Sequence, residues 1–357
     1  MRRSGLTTGL LLILVAAVQG CGPFQTCAWP ILANRETMNV AFPDSASTYW
    51  SYRYHLKAGR EIEIAGTSIA GRYFSLNTYD YWGRNLDGIH DTALGAGPEA
   101  TAPTRARWRV VLKGGAAPGE HANVLAGTAA AAEAGYGILI YRVYVPDDPA
   151  DPQAGADLPT LTIRDGDEVD RLRQCPAPAG SRLVEWFIRL FGPAATEPVL
   201  ARPAFTRPLS AEGFFPNRDN KYLAALVDWK PGRVVVVEGR LPRVPADMRY
   251  WSICTNEYRK PYPTTACLHD ADMTRNDAGD YKVLISTPED RPVRHGDGRP
   301  FQWLPWGSTD ETLIVLIRNM LPSEGFPFAV QSVPPGESGE DIMGPYYPRI
   351  RVEQGGG

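Results

Sequence analysis

Two stretches of this chain repeat each other in order. Lys57-Ala-Gly59-Arg60-Glu-Ile-Glu-Ile-Ala-Gly66 recurs as Lys230-Pro-Gly232-Arg233-Val-Val-Val-Val-Glu-Gly239, and Arg72-Tyr73-Phe74-Ser75-Leu-Asn-Thr78 as Arg249-Tyr250-Trp251-Ser252-Ile-Cys-Thr255. His90-Asp91 then lines up with His269-Asp270, Asn123-Val-Leu-Ala-Gly127 with Gln302-Trp-Leu-Pro-Trp-Gly307, and Ile140-Tyr-Arg142-Val-Tyr-Val-Pro146 with Leu316-Ile-Arg318-Asn-Met-Leu-Pro322. The offset stays at roughly 175 positions, far longer than a solenoid repeat and the length of a whole domain. The chain must therefore accommodate one architecture twice.

That architecture reads as mainly β: two tandem antiparallel β-sandwich, jelly-roll-like domains with a few short helices. Glu61-Ile62-Glu63-Ile64 alternates polar and apolar residues, and residues 73–79 do so more loosely, as half-buried strands require. Residues 234–237 and 313–317 are unbroken apolar runs rich in β-branched side chains, the pattern of central strands covered on both faces. Gly, Pro, Asn and Asp clusters interrupt the strands at short intervals, as in sandwiches. Ile350-Arg351-Val352 can add one last edge strand.

Two stretches read as helix. Ser181 can cap a segment in which Leu183, Val184, Trp186, Phe187, Ile188, Leu190 and Phe191 leave only Arg182, Glu185 and Arg189 as a polar stripe, so this helix is expected to be mostly buried. Its place between the copies suggests an interface helix, the alternative being a membrane-surface role. Alanine-rich residues 123–134 are expected to form a second helix. Proline-studded stretches mark connections. The expected division is a signal peptide over 1–20, a first sandwich over 21–178, a helix and proline-rich connection over 179–218, and a second sandwich over 219–357.

The N-terminus reads Met1-Arg2-Arg3, an apolar run over 6–18, then Val18-Gln19-Gly20-Cys21. A basic start with an apolar stretch too short for a bilayer span indicates a secretory signal. The tetrapeptide ending at Cys21 resembles a bacterial lipobox, which implies cleavage before Cys21 and its acylation as a membrane anchor; the alternative is an ordinary signal cut near Gly20. Either route predicts an extracytoplasmic protein of the cell envelope. Four further cysteines suit an oxidising compartment and allow three pairings. Cys254 with Cys267, flanking a turn-rich stretch, and Cys27 with Cys175 are the preferred ones. No C-x-x-C pair points to a metal. A net charge of −3 gives no reason to expect nucleic acid.

Tyr250-Trp251-Ser252, Gly279-Asp280-Tyr281-Lys-Val283, Arg291-Pro292, Trp303-Leu304-Pro305 and Arg318 resemble the uncharacterised bacterial envelope domain known as domain of unknown function 1214. Its Arg-x-Tyr-x-Pro strand is intact in copy one as Arg142-Val-Tyr144-Val-Pro146; copy two has Gln302 for the usual Asn and Met320 for Tyr. The resemblance spans both copies and implies β-sandwich envelope domains, with no reaction attached.

The candidates for chemistry are few. His90 with Asp91, and His269 with Asp270 and Asp272, offer imidazole beside carboxylate, which can bind a divalent metal or hold a general base. Adjacent His and Asp on a strand point to opposite faces, and Asp just beyond a strand usually closes a turn, which is the structural alternative. Asp270-Ala-Asp272 with Asn276, Asp277 and Asp280 loosely resembles a calcium loop but lacks the EF-hand order and reads better as a solvated acidic turn. Arg142 and Arg318 lie within apolar strands and need a carboxylate or carbonyls if buried, with Asp80 a candidate partner; anion recognition is the other reading. Tyr73, Phe74, Tyr79, Tyr81, Trp82, Tyr250, Trp251, Trp303 and Trp306 either fill cores or line a face for sugar or lipid, and Trp82 and Trp306, next to turns, are expected to be exposed.

Signatures of serine hydrolases, zinc proteases and nucleotide-binding loops are absent from the sequence, and no cofactor is implied. The leading expectation is a membrane-tethered, non-enzymatic module whose paired domains bind a carbohydrate, lipid or envelope protein at their mutual interface, with Trp82, Trp303, Trp306, Arg142 and Arg318 as contacts. The rival is a metal-assisted hydrolase using the His-Asp pairs.

Overall fold

A computed structural model describes residues 26–97, 105–119, 122–129, 135–191, 203–209, 215–294 and 298–354. The expected signal peptide, Cys21 and most of the proline-rich connection lie outside them. The chain divides into two compact units, one of Met1–Asn39 with Ala46–Gly192, the other of Val40–Ser45 with Pro193–Gly357. The helix expected in a separate connection thus belongs to the first unit, and a six-residue strip from the first copy belongs to the second.

Unit one contains β1 (Ile31–Ala33), β2 (Ser47–His55), β3 (Arg60–Thr67), β4 (Gly71–Asp80), β5 (Asn85–His90), β6 (Arg107–Gly114), β7 (Val124–Gly127), β8 (Tyr136–Pro146), β9 (Thr160–Asp165), β10 (Glu168–Arg171) and helix α1 (Arg182–Phe191). Unit two contains β11 (Asn220–Val227), β12 (Arg233–Arg240), β13 (Met248–Glu257), β14 (Thr264–His269), β15 (Asp280–Ser286), β16 (Gln302–Pro305), β17 (Leu313–Pro322), the short helix α2 (Glu340–Met343) and β18 (Arg349–Gln354). The first unit orders its sheets β1-β2-β8-β4-β5 and β10-β9-β3-β6-β7; the second orders them β11-β17-β13-β14 and β16-β15-β12-β18. With β1 and β10 removed from the edges, the two topologies are the same.

The identity extends to details. Among the strand pairs of the described residues, β6 with β7 and β15 with β16 are parallel and the others antiparallel. Val145 and Leu321, each the last residue before the strand-ending proline, both adopt a left-handed backbone at φ 48° and 46°. Branched side chains disfavour that region. Each is held there by an equivalent hydrogen bond, Val145 N donating to Ala46 O at 2.8 Å and Leu321 N to Asp219 O at 3.1 Å.

Alternation within the strands builds the cores. In unit one Trp50, Tyr52, Ile62, Ile64, Phe74, Leu76, Trp108, Val110, Leu139 and Tyr141 join in one cluster; in unit two Leu223, Val235, Val237, Trp251, Ile253, Tyr281, Val283, Val315 and Ile317 do so. Each such large side chain contributes about 1.5–3 kcal/mol of apolar burial. The β12 run is covered on both faces as expected, since Val234 and Val236 pack with Leu284 opposite the main core. Gly66 and Gly239 leave room for the ring beneath them: a Cβ on Gly66 would stand 2.5 Å from the Trp108 indole, and one on Gly239 would stand 3.1 Å from the Tyr281 hydroxyl.

Two helix expectations need correction. Residues 124–127 are a strand, because four residues hydrogen-bond beside β6 and this pairing overrides alanine's helix preference; the rest of that stretch up to 134 is mostly outside the described residues. Helix α1 does form, capped by Ser181 Oγ accepting from Val184 N at 3.3 Å. Among its described side chains Ile188 is buried as expected, whereas Trp186 and Leu190 are 44% and 51% exposed.

Candidate functional site

The shared topology sets a serine opposite an arginine at the same point in both units. Ser75 of β4 pairs with Arg142 of β8, and Ser252 of β13 with Arg318 of β17. All four residues are buried. A buried guanidinium must be met by charge or dipoles, and each unit does this in its own way.

In unit two the strip Val40–Ser45 supplies the charge. Ala41 N donates to Pro261 O at 2.8 Å and Phe42 N to Tyr262 O at 3.1 Å, and the Phe42 and Tyr262 rings stack at 5.0 Å. Thr264 Oγ1 donates to Pro43 O at 2.7 Å. So fixed, Asp44 is fully buried and its carboxylate accepts from Arg318 Nη1 and, at 2.7 Å, from Ser252 Oγ. Arg318 Nη1 also donates to Ser252 Oγ at 2.9 Å, Nη2 donates to Phe42 O at 3.2 Å, and the guanidinium lies 5.3 Å from the Tyr222 ring centre. Burial, with the Asp44 carboxylate adding to it, raises the Tyr250 phenol well above its usual pKa. The serine therefore bonds to a carboxylate and a guanidinium, which is a salt-bridge lock and not a nucleophile beside a base.

Unit one surrounds Arg142 with tyrosines. Its guanidinium is 5.5 Å from the ring centres of both Tyr49 and Tyr79. Burial acts to lower its pKa, and the Tyr79, Tyr144 and Tyr49 phenols more than offset this and hold it raised, so the group stays charged. Asp80 is not its partner. The β4–β8 register sets Asp80 opposite Gly137, five residues along from Arg142, or about 17 Å at the usual strand rise. Asp80 instead closes the β4–β5 turn, accepting from Trp82 N at 2.8 Å, Arg84 N at 2.9 Å and Arg84 Nε at 2.5 Å.

The His-Asp pairs occupy matching strand ends. Asp91, buried, accepts from Phe74 N at 3.3 Å and Thr92 N at 2.7 Å; Asp270 accepts from Trp251 N at 3.3 Å. His269 Nδ1 accepts from Ala271 N at 3.3 Å while Asp272 accepts from His269 N at 3.1 Å, a reciprocal cap of one short turn. His90 Nδ1 is 3.7 Å from the Asp91 carboxylate. Asp91 thus ties its strand end to β4 and Asp270 ties its own to β13, while Asp272 caps the short turn. Asn276 similarly closes the acidic turn, accepting from Ala278 N at 3.0 Å and Asp280 N at 2.8 Å. Among the described residues, one set of three potential ligands converges, Asp44 with Cys254 and Cys267. Its two sulfurs form a disulfide, and metal coordination requires thiolates. Both expected disulfides are present, Cys27–Cys175 and Cys254–Cys267.

The aromatic candidates separate. Trp82 is 50% exposed on the β4–β5 turn, edge-on to Tyr81 at 5.6 Å. Trp303 is half-buried, with the Arg291 guanidinium 4.5 Å over its ring and its indole N–H donating to Ser286 Oγ at 3.0 Å. Trp306, expected to be exposed, is 1% exposed: its amide donates to Ser286 O at 2.8 Å, which continues the β15–β16 pairing and turns the ring into the core. Tyr73, Phe74, Tyr79, Tyr250 and Trp251 are core.

Asp44 is the residue that reading by motif passes over. A signal for it exists. Phe42-Pro43-Asp44 and Phe215-Pro216-Asn217 stand at the same distance before β2 and β11, and Phe42 and Phe215 share a left-handed backbone at φ 60° and 55°.

Residues 25–162, nearly all of the first copy, match the family described as protein of unknown function (DUF1254). An uncharacterised protein from Burkholderia cenocepacia has a similar fold, with a TM-score of 0.58 at 14% identity over 98% of this chain and 89% of that one. The VPA0106 protein from Vibrio parahaemolyticus aligns over 90% of this chain and 92% of that one at 13% identity, with a TM-score of 0.47. No curated protein matches the sequence.

Proposed function

We propose that this chain is an exported bacterial lipoprotein, anchored through Cys21, whose first unit presents an aromatic contact for a carbohydrate, lipid or envelope-protein ligand. The observation that carries the binding role is Trp82: an indole half in solvent, on a turn whose conformation the buried Asp80 carboxylate fixes through two backbone amides. A large apolar face held rigidly in water is a low-entropy contact for a ligand. Two disulfides suit an oxidising compartment, and the basic and apolar residues ahead of Cys21 suit export. The Trp303-Leu304-Pro305 and Arg318 pattern of the second copy supports kinship with domain of unknown function 1214. The engagement of Asp91, Asp270 and Asp272 by backbone amides speaks for scaffolding at the His-Asp pairs.

Metabolic labelling with a palmitate analogue tests the anchor. Label in the wild type that is lost in Cys21→Ser supports it, and an unlabelled wild type overturns it. Glycan and lipid arrays test the contact: Trp82→Ala is expected to weaken the best ligand about tenfold, the value of one well-placed aromatic. Unchanged binding removes Trp82 from the site.

A further inference from the structure

A second feature of unit one points to a more specific ligand. On the outer surface of the β9-β3-β6 sheet, a groove of about 700 Å³ is lined by Ala65, Thr67 and Thr160, by the loop of residues 151–158, and by Arg105, Arg107 and Arg171. Among the described residues these three arginines have no carboxylate partner. Neighbouring cations on the same sheet do: Glu63 takes both Arg109 and Arg164.

Unit two shows what such a place holds when the protein fills it itself. The β3–β6 register pairs Ala65 with Arg109 one step from Gly66 and Trp108; the β12–β15 register pairs Glu238 with Lys282 one step from Gly239 and Tyr281. Ala65 and Glu238 are therefore equivalent positions. The Glu238 carboxylate collects Arg299, Arg351 and, at 3.6 Å, Lys282. In unit one a methyl group occupies that position and three arginines border the space above it.

The wall opposite is built to stay in place. Asp151 accepts from Gln153 N at 3.0 Å and from Gly155 N, and Ala70 N donates to Ala154 O at 2.8 Å. Gly155 has φ +70°, and a Cβ there would lie 2.7 Å from Arg105 Nη2, so the bare glycine is what lets the guanidinium lie along the loop. Asp157, exposed at the rim, and the hydroxyls of Thr67 and Thr160 add acceptors and donors beside the cations. Mixed hydroxyl-binding groups around an anion site, with no aromatic in the lining, suit a polyol that carries negative charge.

We infer that this groove binds an acidic saccharide, its carboxylate or phosphate seated over Ala65 among Arg105, Arg107 and Arg171, where Glu238 places its own carboxylate in unit two. The inference rests on the extracytoplasmic binding reading only for where such a saccharide would be met; the groove itself needs neither Cys21 nor Trp82.

Calorimetric titration of the purified protein with oligogalacturonate, a phosphorylated oligosaccharide and a neutral oligosaccharide of equal length tests it. Wild type is expected to bind at least one acidic probe about tenfold or more tightly than the neutral one, with affinity falling as salt rises because the contacts are exposed charges. Ala65→Glu, which installs the carboxylate of unit two, is expected to lower that affinity at least about tenfold, and Arg107→Gln with Arg171→Gln, both at exposed positions, to do the same if Ala65→Glu proves unstable. Equal affinity for acidic and neutral probes, no binding of any acidic probe, or unchanged affinity in the variants overturns the groove. Cys21→Ser and Trp82→Ala should leave it intact, so a failed anchor or aromatic contact is distinguishable from a failed groove.

Discussion

The two units place an arginine at the same point of the same strand and satisfy it by different chemistry. Arg318 is locked by a carboxylate and a serine; Arg142 lies among tyrosine rings. On the outer sheet faces the same inequality recurs, with Glu238 filling in unit two what Ala65 leaves open in unit one. Duplication thus preserved the backbone and the need for a counter-charge, while the groups that answer the need diverged. A site present in one copy is for that reason not expected in the other.

The largest effect that would sharpen this comparison concerns the disulfides. Cys27–Cys175 closes a separation of 148 residues and Cys254–Cys267 one of 13. Chain-entropy reasoning gives about 5 kcal/mol for the first and about 3 kcal/mol for the second. Paired serine variants, compared by denaturant unfolding, should rank in that order, and the reverse ranking would show that native-state packing outweighs loop closure. Next comes Asp44→Ala, which strands Arg318 and should cost about 3–5 kcal/mol. Adding Arg318→Met should recover most of the loss, since a buried pair contributes little net stability when both members leave together. A double variant as unstable as the single one would mean that the strip matters through its backbone and not its charge. The smallest effect lies at Glu238. Partial burial pushes its carboxyl up, but Arg351, with Arg299 and Lys282, outweighs this and holds it below the ordinary value. A lowered folded-state pKa gives stability that is present above about pH 4.5 and lost as pH falls through the lowered value. Solvent screening limits it to about 1 kcal/mol or less. Glu238→Gln should flatten that acid limb, while Ala65→Gln in unit one should leave it unchanged.

Much of the fold was legible from residues alone, because strands that bury one or both faces show it in their side-chain period, and because the same strands occur twice. The copies also held the correction for the misread helix. Residues 123–127 align with a stretch containing Pro305, which no helix interior tolerates, yet local alanine content pointed the other way. Trp306 was misplaced for a related reason: closeness to a turn says nothing about which face a strand end presents, and a single amide bond to Ser286 decides it. Helix α1 showed its cap but not its exposure, since burial depends on what lies beside it. The Asp44 lock was hidden because its members are joined by tertiary packing across most of the chain, and only the paired Phe-Pro motifs hint at it.

The strip that carries Asp44 also bears on timing. Asp44 precedes Arg318 by 274 positions, so at usual synthesis rates of about 5–20 residues per second it leaves the ribosome roughly 15–50 s before its counter-ion. β2, which begins three residues after Asp44, belongs to unit one, so the chain changes unit within three residues of the charge. The second unit then closes onto a segment that emerged long before it, and a fragment beginning at Pro193 would be born without the charge that its own β17 requires.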